Sequence, residues 1–171
     1  MDNKKVEKIA SLVVALVVLC LSFVQVHDWT AVGIYADCGL VCRVLYPFFH
    51  ANVLHAALNA WCLLSIVFIY NISLWRLICS YVVAATIPVT TLSLWLGGVF
   101  DMPTVGMSGM VFFLFATITF EVARKWYYQS WMLFYLVVGF LFPNTSAWLH
   151  LYCYLAGLLF ALLVKPVKIS K

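Results

Sequence analysis

Val105-Gly106-Met107-Ser108-Gly109-Met110-Val111-Phe112 joins a short polar loop, Gly97 to Val105 with Asp101 and Pro103, to a long apolar run. A serine between two glycines at the first turn of an apolar helix is either a notch where another helix packs closely or a nucleophile at a helix N-terminus. The stretch leaves both open, and the choice falls to the residues around it.

Hydrophobic residues make up 66% of the 171 positions and charged residues 9%, against roughly 25% charged in a soluble domain. Six apolar runs can be marked: Ile9 to Val26, Val53 to Tyr70, Leu74 to Leu96, Ser108 to Val122, Tyr127 to Phe142 and Ala147 to Val164. Most approach the roughly 17 to 25 residues that cross a bilayer, and the two short ones fit as helices buried among neighbours. The first run follows Lys4, Lys5 and Lys8 as a secretory leader would, but it is long and Val24-Gln25-Val26 is a poor cleavage site. It counts as a span.

With six spans, Lys4, Lys5, Lys8, Arg76, Arg124, Lys125, Lys165, Lys168 and Lys171 all fall on the side of the termini, and Arg43 alone on the other. Cytoplasmic flanks hold the excess of Lys and Arg. The expected fold is an all-α membrane protein, a bundle of six transmembrane helices with both termini cytoplasmic. It forms a single domain over residues 1–171 with short tails at about 1–8 and 165–171. The net charge of +4 then serves topology and contact with the anionic lipid surface, which argues against nucleic acid as a partner.

Between the first two spans, His27 to Phe49 carries Asp28, Asp37, Arg43, Trp29, Tyr35, Tyr46 and Pro47, a composition suited to the headgroup interface. Cys38 and Cys42 lie four apart there; a disulfide or metal pair is conceivable, and two unpaired small residues is the favoured reading. In the second span His55 and Asn59, at i and i+4, share one helix face, with Asn59 about 6 Å deeper. Either alone reads as an interhelical hydrogen bond. The third span holds Pro88 among Thr86, Thr90, Thr91 and Ser93, whose hydroxyls can satisfy carbonyls that the proline frees. Glu121, thirteen residues beyond Ser108, is expected to pair with Arg124 or Lys125. After the outer turn Pro143-Asn144-Thr145-Ser146, the last span places His150 about one turn in, and Gly157 two turns further on the same face.

Spans two, four and six all run inward from the outer side, so their first turns share one depth. His55, Asn59, Ser108 and His150 therefore reach a common level, and polar groups held there are costly unless used. The chemistry they support is acyl transfer. His150 serves as general base to Ser108, and the free amides at the start of span four join His55 and Asn59 as oxyanion donors. No carboxylate stands at that level, so the expected arrangement is a dyad.

Gly106-Met107-Ser108-Gly109, His150 on the last span, and His50 with His55 and Asn59 on the second together resemble the rhomboid intramembrane serine proteases in their compact six-span bacterial form. The resemblance covers nearly the whole chain. It implies Ser108 as nucleophile, His150 as base, and His55, Asn59 and the Ser108 amide as oxyanion donors. It implies that His50 supports the outer loop and cavity, that Gly106, Gly109 and Gly157 serve the backbone and packing, and that Phe112 stacks beneath His150. The implied substrates are transmembrane segments of other proteins, cut near their outer ends, with no cofactor or metal. The implied location is a bacterial plasma membrane.

Three positions depart from the family pattern: Cys42-Arg43 stands where Trp-Arg is usual, Cys153 where a glycine follows the histidine, and Phe112 where a tyrosine is common. An inactive relative that binds transmembrane segments without cutting them is the principal alternative; such relatives typically lose the serine or histidine, and both are present. A transporter or scaffold would predict paired intramembrane charges or repeated halves. A zinc site of His50, His55 and His150 is awkward, because positions i and i+5 lie about 140° apart around a helix.

Overall fold

The computed structural model describes residues 3–70, 72–142 and 145–164. Lys165, Lys168, Lys171 and the Pro143-Asn144 part of the outer turn lie outside the described residues. The described residues form eight α-helices: α1 (Asn3–Leu21), α2 (Leu40–Leu45), α3 (Val53–Tyr70), α4 (Leu74–Ala85), α5 (Val89–Leu96), α6 (Ser108–Thr117), α7 (Lys125–Gly139) and α8 (Ala147–Leu163), with one 3₁₀ turn at Trp29–Ala31. Among the described residues α3 is the one helix long and apolar enough to cross a membrane by itself, and α4 with α5 makes a second if the bent pair is counted as one span.

That pair corresponds to the expected third span, and the chain bends by 52° between its halves. Pro88 has no amide to donate and ends the α4 ladder. The carbonyl that loses its donor, Ala84, accepts from the Tyr46 hydroxyl at 3.0 Å, and two side chains add to carbonyls around the break: Thr86 Oγ1 donates to Val82 and Arg43 Nη1 to Ile87, each at 2.7 Å. Arg43 thus reaches from α2 to the break, and its guanidinium is tucked inward while Leu40, Val41 and Val44 of the same short helix stay exposed. Beside it, Cys42 Sγ lies 3.2 Å from the Thr30 carbonyl, and all six cysteines are free.

The α6 and α8 helices form the most extensive pairing in the bundle. A Cβ on Gly157 would come within 2.4 Å of the Phe113 carbonyl oxygen and 2.7 Å of Ala116 Cβ, and one on Gly109 within 2.7 Å of Leu149 Cδ2. Only glycine permits so close an approach. Gly109 faces Leu149 and Cys153 while Phe113 and Ala116 face Gly157, so numbers rise together along the seam and the two helices are parallel.

Two expectations need correction. The fourth apolar run, read as Ser108 to Val122, is helical only through Thr117. Residues 118–121 fold as a turn, with the Glu121 amide on the Ile118 carbonyl at 2.8 Å. Because the helix stops there, Glu121 is carried to the first turn of α4 and pairs with Arg76, not with Arg124 or Lys125. The two are largely buried, with side-chain exposures of 12% and 5%, and the contact places the start of α4 beside the end of α6, so those helices run antiparallel.

Candidate active site

The loop before α6 is held by backbone pairing with the segment before α3. Ile34 and Thr104 exchange both amide–carbonyl bonds, at 2.8 and 2.9 Å, the Ala36 amide donates to the Phe100 carbonyl at 2.8 Å, and the Gly106 amide to the Tyr46 carbonyl at 2.9 Å. Gly106 takes φ +125°, a region closed to other residues, and a Cβ there would lie 2.9 Å from His55 Cε1. Its bare backbone is what lets the imidazole of α3 lie against the loop two residues ahead of Ser108.

Met107 opens α6. Its amide donates to His50 Nε2 at 3.3 Å, and its carbonyl accepts from the Val111 amide at 3.1 Å. The amides of Ser108, Gly109 and Met110 belong to the first turn, where helix geometry offers no internal acceptor. They form a patch of positive potential beside the Ser108 hydroxyl.

From α8, His150 reaches across the seam to Ser108, with Nε2 and Oγ separated by 2.7 Å. Its ring is stacked on Phe112, centroids 4.4 Å apart and planes 16° from parallel. Phe112 sits one turn after Ser108 on the same face, so one helix supplies both the hydroxyl and the platform under the imidazole. The start of α8 is pinned as well: Ser146 Oγ lies 3.0 Å from Thr104 Oγ1. Among the described residues no carboxylate is hydrogen-bonded to Ser108 or His150.

The α3 residues lie on the other side. The Asn52 side chain caps the helix by accepting from the His55 amide at 2.8 Å. The His55 ring meets His50 edge to face at 4.9 Å, and His50 is buried. Asn59 is buried too; one N–H of its amide goes to the His55 carbonyl at 3.0 Å, which leaves a second to donate elsewhere. Asn59 and Ser108 line one cavity of about 330 Å3 with Leu58, Phe112 and Tyr135. Among the described residues no cluster of three His, Cys, Asp or Glu is placed to hold a metal ion.

Ser108, His150 and Phe112 therefore form one contact group, and His50, His55 and Gly106 a second one against it. Asn59 faces the shared cavity, and Gly109 and Gly157 lie in the seam. Sequence reading placed Tyr46 among residues suited to the headgroup interface; it is instead fully buried, with its hydroxyl on the Ala84 carbonyl at 3.0 Å and its own carbonyl holding Gly106. It also missed the Thr104–Ser146 link, whose partners are 42 residues apart and carry no local signal.

A family model described as Rhomboid domain matches residues 38–167, from just ahead of α2 through α8. Comparison with curated proteins and with solved structures gives no match.

Proposed function

Because the chain belongs to the rhomboid family of intramembrane proteases, we propose that it is an active serine endopeptidase that cuts transmembrane segments of other membrane proteins near their outer ends. The observation that carries this reading is the 2.7 Å contact between His150 Nε2 and Ser108 Oγ at the edge of a cavity. In this mechanism the neutral imidazole accepts the Ser108 proton at Nε2 as Oγ attacks the scissile carbonyl carbon. The tetrahedral oxyanion takes hydrogen bonds from the Ser108 amide, His55 and the second N–H of Asn59. The C–N bond then breaks as His150 returns the proton to the leaving amine. Water repeats the sequence on the acyl-enzyme, giving its proton to His150, and Ser108 leaves as the free hydroxyl. Stacking on Phe112 supports the ring orientation that a carboxylate provides in a triad.

The proposal carries a topology with it: one domain over 1–171, six spans formed by α1, α3, the α4/α5 pair, α6, α7 and α8, and both termini cytoplasmic in a bacterial plasma membrane. The parallel α6 and α8 and the antiparallel α4 and α6 are in keeping with that alternation.

The test is cleavage of single-span substrates in liposomes by wild type, Ser108→Ala and His150→Ala. A defined cut made only by wild type is the expected result. Cleavage by Ser108→Ala would end the serine mechanism, and a wild type that neither cuts nor reacts with a fluorophosphonate would favour a binding-only relative.

A further inference from the structure

We propose that Thr104 and Ser146 are positioning residues of the Ser108–His150 dyad: the bond between their hydroxyls fixes the start of α8 to the loop that delivers Ser108. The inference rests on the reading of Ser108 and His150 as nucleophile and base, and it adds the groups that bring them together.

His150 stands where holding is needed. It lies in the first turn of α8, where helices fray, and among the described residues no carboxylate is hydrogen-bonded to its ring. Phe112 supports one face of the imidazole, but a stack still lets the ring slide in its own plane. The seam sets how far apart the α6 and α8 backbones lie, and its glycines, Gly109 and Gly157, both follow the reacting residues along their helices. The end of α8 before His150 is held by other means.

Ser146 occupies the N-cap of α8, where a serine side chain ordinarily accepts from an amide of the first turn. Here it makes no such bond. Its Oγ goes instead to Thr104 Oγ1, 3.0 Å away, while its carbonyl accepts from the His150 amide at 3.1 Å. One residue therefore ties the backbone of His150 to a group on the opposite loop.

Thr104 is a fixed post. Its amide and carbonyl are both bonded to Ile34, at 2.9 and 2.8 Å, and a Cβ on Gly33 would come within 2.8 Å of Pro103 Cβ beside it. Further along, the Tyr46 carbonyl holds the Gly106 amide at 2.9 Å. With its backbone committed on both sides of the hydroxyl, Thr104 has little room to follow α8 if the link is cut. The register agrees: Thr104 with Ser146 and Ser108 with His150 both join partners 42 residues apart, so a shift of α8 that parted one pair would part the other.

Thr104→Val and Ser146→Ala remove the link from opposite ends, and neither adds bulk, so either one serves if the other fails to fold. Thr104→Ser and Ser146→Thr each keep a hydroxyl. The full chain is assayed for kcat and KM on a single-span substrate in liposomes and for the rate at which a fluorophosphonate labels Ser108. In micelles of nitrogen-15 histidine-labelled protein, the Nε2 resonance of His150 is followed, assigned with His150→Ala.

Thr104→Val and Ser146→Ala should each lower kcat and the labelling rate about 10-fold, short of the roughly 100-fold that a 1 Å misplacement of reacting groups costs, with KM unchanged. The double variant should be no slower than either one, because both remove the same bond. The variants that keep a hydroxyl should stay close to wild type. Loss of the link should also move the His150 resonance toward its position in Ser108→Ala, where the contact with Oγ is gone. A raised KM with kcat kept would make the two hydroxyls substrate contacts and overturn the proposal. So would a double variant slowed by the product of the two single effects, or a His150 resonance that keeps its wild-type position. If wild type neither cuts nor is labelled, the protease reading fails by itself and the resonance still decides: a shift in the two single variants upholds Thr104 and Ser146 as holders of the Ser108–His150 contact, and no shift removes them.

Discussion

α8 and α7 are held beside the Ser108 helix by different means: α8 packs along α6, whereas α7 packs on α8 and reaches α6 through a hydrogen bond. α8 lies in a seam where Gly109 and Gly157 remove every atom that would hold the backbones apart. α7 buries only Met132, Leu136 and Gly139, and a Cβ added at Gly139 would find its nearest neighbours at 3.6 and 3.7 Å, an ordinary contact. Its ties are polar: Gln129 Nε2 donates to Thr119 Oγ1 at 2.8 Å, Tyr154 donates to Gln129 Oε1 at 2.7 Å, and Tyr128 to the Phe115 carbonyl at 2.7 Å. All three lie toward the start of α7, while Tyr135 further along borders the cavity that holds Ser108. Shape fixes the spacing of hydroxyl and imidazole on one side, and a few hydrogen bonds fix the wall of the cavity on the other. Positioning and access are thus assigned to different helix pairs.

The seam can be broken outright. Gly157→Val places its branched carbon where the Phe113 backbone already stands, and overpacking of this kind costs about 1 to 3 kcal/mol or more. Backbone cannot swing aside as a side chain does, so the upper end is expected, with α6 and α8 parted, a lower unfolding temperature and loss of cleavage. Thermal melts in detergent alongside a liposome cleavage assay measure both; full activity in this variant would show that the seam does not set the reacting distance.

Asn59→Ala probes the α3 wall. As an oxyanion donor it should lower kcat on the order of 100-fold, or about 3 kcal/mol, with little change in melting temperature. A large fall in melting temperature with kcat preserved would make Asn59 a brace for α3 only.

The smallest effect is expected from Tyr154→Phe, which removes one of the ties that hold α7 through Gln129. Hydrogen bonds of this sort within membrane proteins contribute about 0.6 kcal/mol, so a slight drop in melting temperature should come with unchanged labelling of Ser108 by a fluorophosphonate. Labelling lost in this variant would show that α7 also positions the nucleophile, and the contrast with α8 would fail.

Much of the molecule was legible from the sequence because its signals are local. Apolar runs, proline and the cost of polar groups among apolar ones are properties of consecutive residues, and they suffice for an all-helical chain and for singling out His55, Asn59, Ser108 and His150 as candidates. What was misread depended on distance. The end of α6 at Thr117 sends Glu121 to an arginine 45 positions away, where proximity in sequence favoured Arg124 or Lys125. The bend at Pro88 was marked by the proline, but its support by Arg43 was not, since a guanidinium in an outer loop reads as a headgroup contact until α2 is folded back on α4.

The sequence by itself determined which polar groups stand in the first turns of apolar helices, because helix rise and polar solvation follow from residue order. The tertiary structure decided the 2.7 Å between Ser108 and His150, the stack on Phe112 and the seat of His55 against Gly106. Those distances depend on how closely two backbones pack and on which loops close over tens of residues, and neither is written in any one stretch of the chain.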